Sequence, residues 1–181
     1  MSVILGIDPG LQHTGWAIIR SGGSGSRDSK TQMQASTRVS IQAVAYGVIS
    51  TNAKDMLSQR LAVIFDDLTA VIERYQPTSC ALEGVFFGLN AKTALSLGQA
   101  RGAAILATAH KGLDMGEYPP ATIKQAIVGT GNAEKEQVTY MVRQLLDLDH
   151  DPRPDHCADA LAVAITHMAH MRHLSYADRS S

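Results

Sequence analysis

Three short segments of this chain carry side chains that suit a divalent cation. Gly-Ile-Asp-Pro-Gly at 6–10 holds Asp8, and Ala-Leu-Glu-Gly at 81–84 holds Glu83. Asp-His-Cys-Ala-Asp at 155–159 holds Asp155, His156 and Asp159. The first two follow apolar runs, so each carboxylate is expected at the carboxyl end of a strand. The third opens an apolar helix. A carboxylate buried without a partner costs on the order of several kcal/mol. Something positive is therefore expected among these groups, and hard oxygen ligands favour Mg²⁺ or Mn²⁺. A metal pair held by carboxylates is the usual apparatus for cutting phosphodiesters.

Each acid has a plainer reading. Asp8 stands beside a Pro-Gly turn, where an aspartate can cap local N–H groups. Glu83 can be an exposed strand-end glutamate. Asp155 follows Pro154 and suits a helix N-cap. His156 and Asp159 are three apart, hence on one helix face. Asp155 is four from Asp159 and can share that face. His156 is the expected ligand and Asp155 the expected cap, with Asp155 the alternative ligand.

The elements that must position these residues read as follows. Strands are expected at 3–8, 14–20, 39–50, 79–83 and 113–118. Helices are expected at 56–75, 91–111, 119–128, 134–146 and 156–173, with basic residues on those between the acidic segments. Leu57, Leu61, Ile64, Leu68, Val71 and Ile72 recur at helical spacing. Small residues give 91–111 a smooth face for close packing. A three-strand meander followed by alternating β and α predicts an α/β fold, a five-stranded mixed sheet with helices on both faces. Residues 1–174 read as one domain. Segment 21–37, rich in Gly, Ser and Lys/Arg, reads as a flexible hairpin tip or insertion. Residues 175–181 read as a disordered tail.

Composition sets outer limits. The 181 residues suffice for one real core, and the net charge is −1. There is no global basic signature, so a nucleic-acid binder must gather its positive charge on one face. Cys80 and Cys157 lie in apolar stretches and read as reduced thiols. No secretory signal is seen and no apolar run reaches membrane length, so a cytoplasmic chain with no membrane contact is expected.

The order of motifs resembles the RuvC family of Holliday junction resolvases, the crossover-junction endodeoxyribonucleases. The resemblance rests on Gly-Ile-Asp-Pro-Gly at 6–10, Leu-Glu-Gly-Val-Phe at 82–86, Ala-Leu-Ser-Leu-Gly-Gln-Ala-Arg-Gly at 94–102, Ile-Lys-Gln at 123–125, Val-Gly-Thr-Gly-Asn-Ala-Glu-Lys at 128–135 and Ala-Asp-Ala-Leu-Ala at 158–162. It covers nearly the whole chain. It implies a ribonuclease H-like fold and a homodimer with two Mg²⁺ or Mn²⁺ ions per active site. The implied activity is paired symmetric nicking of four-way DNA junctions in recombination and repair, leaving 5′-phosphate and 3′-hydroxyl ends. A branch-migration helicase complex is the implied partner.

Residue by residue, the resemblance implies that Asp8, Glu83, His156 and Asp159 are the catalytic metal ligands. Lys124 and Lys135 fall where the family places basic residues near the phosphate. Phe86 aligns with an aromatic that stacks into the junction centre, and Phe87 adjoins it. Arg101 reads as a structural or dimer-face residue. Two departures stand out. Segment 21–37 is longer than the family's hairpin, and the common Asp-x-x-Asp pattern has His156 in its first place. His167, His170 and His173 recur every three residues and read as a wet helix flank, since no carboxylate or Cys accompanies them. Two rivals remain. Gly-Ile-Asp-Pro-Gly is similar to the first phosphate loop of actin-like and sugar-kinase ATPases, which makes an ATP phosphotransferase fragment one. A non-catalytic junction-binding module is the other.

Overall fold

The computed structural model describes residues 2–22, 40–84 and 90–177, with side chains as far as Arg172. Five strands form one sheet: β1 (Val3–Asp8), β2 (His13–Ser21), β3 (Ile41–Ser50), β4 (Ser79–Glu83) and β5 (Met115–Tyr118). Their spatial order is β3-β2-β1-β4-β5. The first three are antiparallel neighbours, and β4 and β5 join parallel to β1. The mixed sheet expected from the meander-then-crossover order is therefore present.

β1 is central because its residues are apolar on both faces. Ile4 packs into one core cluster, and Leu5 and Ile7 into the other. Such a strand can only be buried on both sides. One face is covered by α1 (Leu57–Tyr75) and α2 (Ala91–His110). Ile64, Leu68 and Ile72 form the buried stripe of α1 at four-residue spacing. Gln76 ends that helix in the left-handed region, its N–H on the Ile72 carbonyl, and Pro77 forbids continuation. The buried face of α2 is small: Ala100, Ala104 and Ala107 are fully enclosed.

The other face is covered by α5 (Asp155–Ala177), backed by α3 (Pro120–Val128) and α4 (Lys135–Leu145). Residues 160–168 of α5 are buried on every side, since the helix lies between the sheet and the outer pair. α3 starts with Pro120 in its first turn and ends at Gly129, whose φ of 90° needs glycine. Gln137 caps the Glu134 N–H at 2.8 Å and starts α4.

Most element ends fall within two residues of expectation. The last helix is longer: it runs to Ala177 rather than 173 and takes in the first three residues of the expected tail. No Gly or Pro follows His173 to stop it. Segment 21–37 lies almost wholly outside the described residues. Its base is closed by the Gly22 N–H on the Ser40 carbonyl at 2.7 Å.

Candidate metal centre

Asp8 is the last residue of β1 and pairs with Gly15 of β2. Ile7 pairs with Leu82 of β4, so Glu83 emerges beside Asp8 at the same sheet edge. The chain after Asp8 is tied down at once. Thr14, fully buried, donates its hydroxyl to the Gly10 carbonyl at 2.7 Å. Arg60 of α1 donates to the Leu11 carbonyl at 3.2 Å. The turn that carries Asp8 out of the sheet is thus held on both sides.

α5 brings the other two groups. Its approach depends on glycine at two places. A Cβ on Gly6 would overlap the Ala160 carbonyl, and one on Gly15 would overlap the His156 carbonyl. Without those methylene-sized gaps the helix could not lie this close to β1 and β2. With them, its first turn meets the end of β1. Ligand atoms of Asp8, His156 and Asp159 lie within 4.8 Å of one another. His156 Nδ1 is 2.7 Å from Asp8 Oδ2.

The electrostatics are those of acids crowded without enough positive charge. Burial, then the charges of Asp8 and Asp159, push the Glu83 carboxyl up to about 8. Burial and then Asp8 raise the Asp159 carboxyl as well, although Lys135 and His156 oppose this. The hydrogen bond that His156 donates to Asp8, outweighing burial, holds its imidazole above the ordinary value. A carboxyl raised this far among other carboxylates is the signature of a site suited to a divalent ion. The donor set, carboxylate oxygens with one imidazole, suits Mg²⁺ or Mn²⁺.

Two lysines edge the cluster. Lys135 lies 3.1 Å from Asp159 and 3.6 Å from Asp155. Burial lowers its ammonium but the Asp159 charge and hydrogen bond outweigh this, so it stays charged. Lys124 and Lys135 share the wall of a cavity of about 200 Å³ with Glu83 and Asp159. Ile123 and Val138 supply its apolar side. The structure therefore brings together five residues expected at the site: Asp8, Glu83, His156, Asp159 and Lys135, with Lys124 lining the same cavity.

Asp155 is placed differently from expectation. It is the first residue of α5 rather than its cap, and its carboxylate faces Arg153 at 3.3 Å and Lys135. His167 also corrects the expected wet flank. It is 7% exposed, and its Nδ1 bonds the Tyr118 hydroxyl at 2.8 Å. Burial pushes its imidazole down. Three-residue spacing alone could not show that the sheet covers this part of the helix. His170 is exposed and lies against the Tyr118 ring. The His173 side chain, Phe86 and Phe87 lie outside the described residues.

Sequence reasoning passed over three contributors. Gly6 lies in the Gly-Ile-Asp-Pro-Gly motif, whose pattern carries no sign that it admits α5. Gly15 carried no signal at all. His13 lies with its ring 5.7 Å from that of His156, held by Ser50 at 3.1 Å. Cys80 and Cys157 are buried free thiols, each pushed up to about 11 by burial, and so are unreactive.

Comparison with known proteins identifies the family. The family model described as crossover junction endodeoxyribonuclease RuvC matches residues 4–167. A protein of that name from Heliobacterium modesticaldum is 47% identical over 163 residues, covering 90% of this chain and 91% of the relative. One from Treponema pallidum is 44% identical over 168 residues, covering 93% and 78%. The solved structure of Thermus thermophilus RuvC with a Holliday junction substrate superposes with a TM-score of 0.83 at 32% identity, over 95% of this chain and 96% of that one. The sheet order, the two helical layers and the matched residues agree in placing the fold as ribonuclease H-like, and the chain belongs to the RuvC family of crossover junction endodeoxyribonucleases.

Proposed function

We propose that this chain is a metal-dependent endonuclease that resolves four-way DNA junctions by paired, symmetric nicks, leaving 5′-phosphate and 3′-hydroxyl ends. The observation that carries it is the convergence of Asp8, Glu83, His156 and Asp159 at one sheet edge, with Lys135 and Lys124 on the rim. Asp8, Glu83 and Asp159 are the carboxylate ligands and His156 the fourth. Asp155 is the weaker candidate, since it lies outside the group formed by Asp8, His156 and Asp159 and its exposed carboxylate faces Arg153.

When bound, Mg²⁺ or Mn²⁺, two to a site, supplies a water of lowered pKa and a counter-charge for the leaving 3′ oxygen. The protein does the rest. Asp8 lies between its neighbours and holds both His156 and the end of β1 in place. Lys135 opposes the rise of the Asp159 carboxyl and orients it, and Lys124 faces the same cavity, where a scissile phosphate needs positive charge. The apolar wall of Ile123 and Val138 limits water beside the reacting phosphate. Phe86 and Phe87 stack on bases at the crossover, worth about 1–3 kcal/mol per base.

Paired nicks require two sites, so the working unit is a homodimer. Leu95 and Leu106 of α2 are 64% and 61% exposed, and Leu106 joins Leu61, Phe65 and Ala103 along an apolar groove between α1 and α2. That groove is the face we assign to the second copy. Cytoplasmic location and a branch-migration helicase partner complete the reading.

The test is nicking of a synthetic four-way junction, against linear duplex of the same sequence, with Mg²⁺ and Mn²⁺ compared. Symmetric, metal-dependent nicks confined to the junction are expected. Binding without nicking in either metal would favour the non-catalytic module. ATP-dependent phosphoryl transfer would favour the kinase-like rival.

A further inference from the structure

We propose that Arg101 is a positioning residue for Glu83: its guanidinium replaces a missing ladder donor at the end of β4 and fixes the backbone from which Glu83 enters the metal centre. This rests on the reading of Glu83 as a metal ligand. Arg101 is 9% exposed, on α2. One nitrogen donates to the Glu83 carbonyl at 2.6 Å, and the other pairs with Glu117 of β5.

The reason lies in the register. Ile7 pairs with Leu82 in the parallel β1–β4 ladder. The next rung would carry the N–H of residue 9 to the carbonyl of Glu83. Residue 9 is Pro9, which has no N–H. The turn that delivers Asp8 thus deprives Glu83 of its backbone partner. A carbonyl left unpaired there is costly, and the strand end would be free to swing. Arg101 fills the gap. On the other side of the strand, the Gly84 N–H donates to the Tyr118 carbonyl at 2.7 Å. The peptide after Glu83 is pinned from both neighbours.

Arg101 does this from outside the reacting centre. Leu82 pairs with Glu117 and packs in the core cluster under α1 and α2. His156 and Asp159 arrive with α5 on the opposite face of the sheet. Glu117 anchors the guanidinium, so its fork spans β4 and β5 and ties α2 to the catalytic edge. Ligand placement of this kind is worth about 10- to 100-fold in metal affinity.

The experiment compares wild type, Arg101→Ala and the double variant Pro9→Ala/Arg101→Ala. Mn²⁺ binding to the metal-free protein is read by electron paramagnetic resonance, and junction nicking in single turnovers. Circular dichroism checks folding, and gel shift in Ca²⁺ checks junction affinity. Folded Arg101→Ala should bind Mn²⁺ about tenfold more weakly and nick about tenfold more slowly. Its junction affinity should stay within about twofold, since no phosphate contact is lost. Pro9→Ala restores the ladder amide, so the double variant should regain Mn²⁺ affinity, which a merely structural arginine would not allow. Wild-type Mn²⁺ binding in Arg101→Ala, or no recovery in the double variant, would overturn the proposal. If Arg101→Ala does not fold, Arg101→Lys decides. One ammonium cannot serve both the carbonyl and Glu117, so its Mn²⁺ affinity should fall by about threefold or more; unchanged affinity would overturn it. A wild type that binds Mn²⁺ but nicks no junction sinks the nuclease reading and leaves the Mn²⁺ comparison intact.

Discussion

His156 Nδ1 and Asp8 Oδ2 sit 2.7 Å apart although 148 residues separate them. This one contact joins the end of the central strand to the start of the last helix. It also joins a strand-end carboxylate to the one imidazole of the proposed ligand set. A change at either residue is therefore felt by both.

Asp8→Asn keeps shape and removes charge. Loss of metal-held transition-state stabilisation is worth several kcal/mol, so nicking should fall by about 100-fold or more. Junction binding, carried by phosphate contacts, should persist. The Asp8 charge helps raise His156, so the imidazole should titrate lower in the variant, observable by NMR. Nicking near the wild-type rate would remove Asp8 from the metal centre.

His156 in place of a carboxylate leaves the site less negative and more suited to Mn²⁺ than Mg²⁺. Activity should be stronger with Mn²⁺, and His156→Asp should narrow that difference. His156→Ala should nearly abolish nicking, while Asp155→Ala should cost only a few-fold. The reverse pattern would make Asp155 the ligand. Protonation costs the imidazole its ligand role, so activity should decline as pH falls through the imidazole range.

Glu83 predicts how the metal-free protein responds to pH. Its carboxyl is raised from 4.5 to about 8 in the fold. The folded state therefore holds a proton that the unfolded chain has released. Its contribution is fully present below 4.5 and is lost as pH rises through about 8. The melting temperature of the metal-free protein should fall over that window, and Glu83→Gln should flatten the slope. Metal binding near neutral pH should release protons, seen as a buffer-dependent heat in calorimetry. A slope unchanged in Glu83→Gln would assign it to other groups.

His167 gives the opposite sign. Burial lowers its pKa below 6.5, so its neutral form belongs to the fold. Its contribution is present above 6.5 and is lost as pH falls below that value. His167→Gln should remove part of the acid sensitivity of folding. Tyr118→Phe deletes the hydroxyl bonded to its ring and should cost about 1 kcal/mol in denaturant unfolding.

Gly15→Ala tests the helix approach. The added methyl would strike the His156 carbonyl, so α5 must shift. A loss of about 1–3 kcal/mol is expected, with nicking reduced beyond what the lost stability explains. Ala at 15 with full activity and unchanged melting would mean that the helix has room to spare.

Much of this molecule is written locally. The apolar run before Asp8, the four-residue stripe of α1, the Pro and Gly around α3 and the β-then-βα order fix the elements, because each is set by short-range sterics and by which faces must be buried. The same runs place Asp8 and Glu83 at strand ends, and three-residue spacing puts His156 beside Asp159. What local sequence cannot express is distance between elements. Only the packed structure shows that Gly6 and Gly15 admit α5 to the sheet, that His167 is enclosed while His170 is not, and that Pro9 leaves the Glu83 carbonyl for Arg101 to satisfy. Those outcomes depend on backbone approach and register between strands and helices far apart in the chain, and such contacts exist only once the layers have closed on one another.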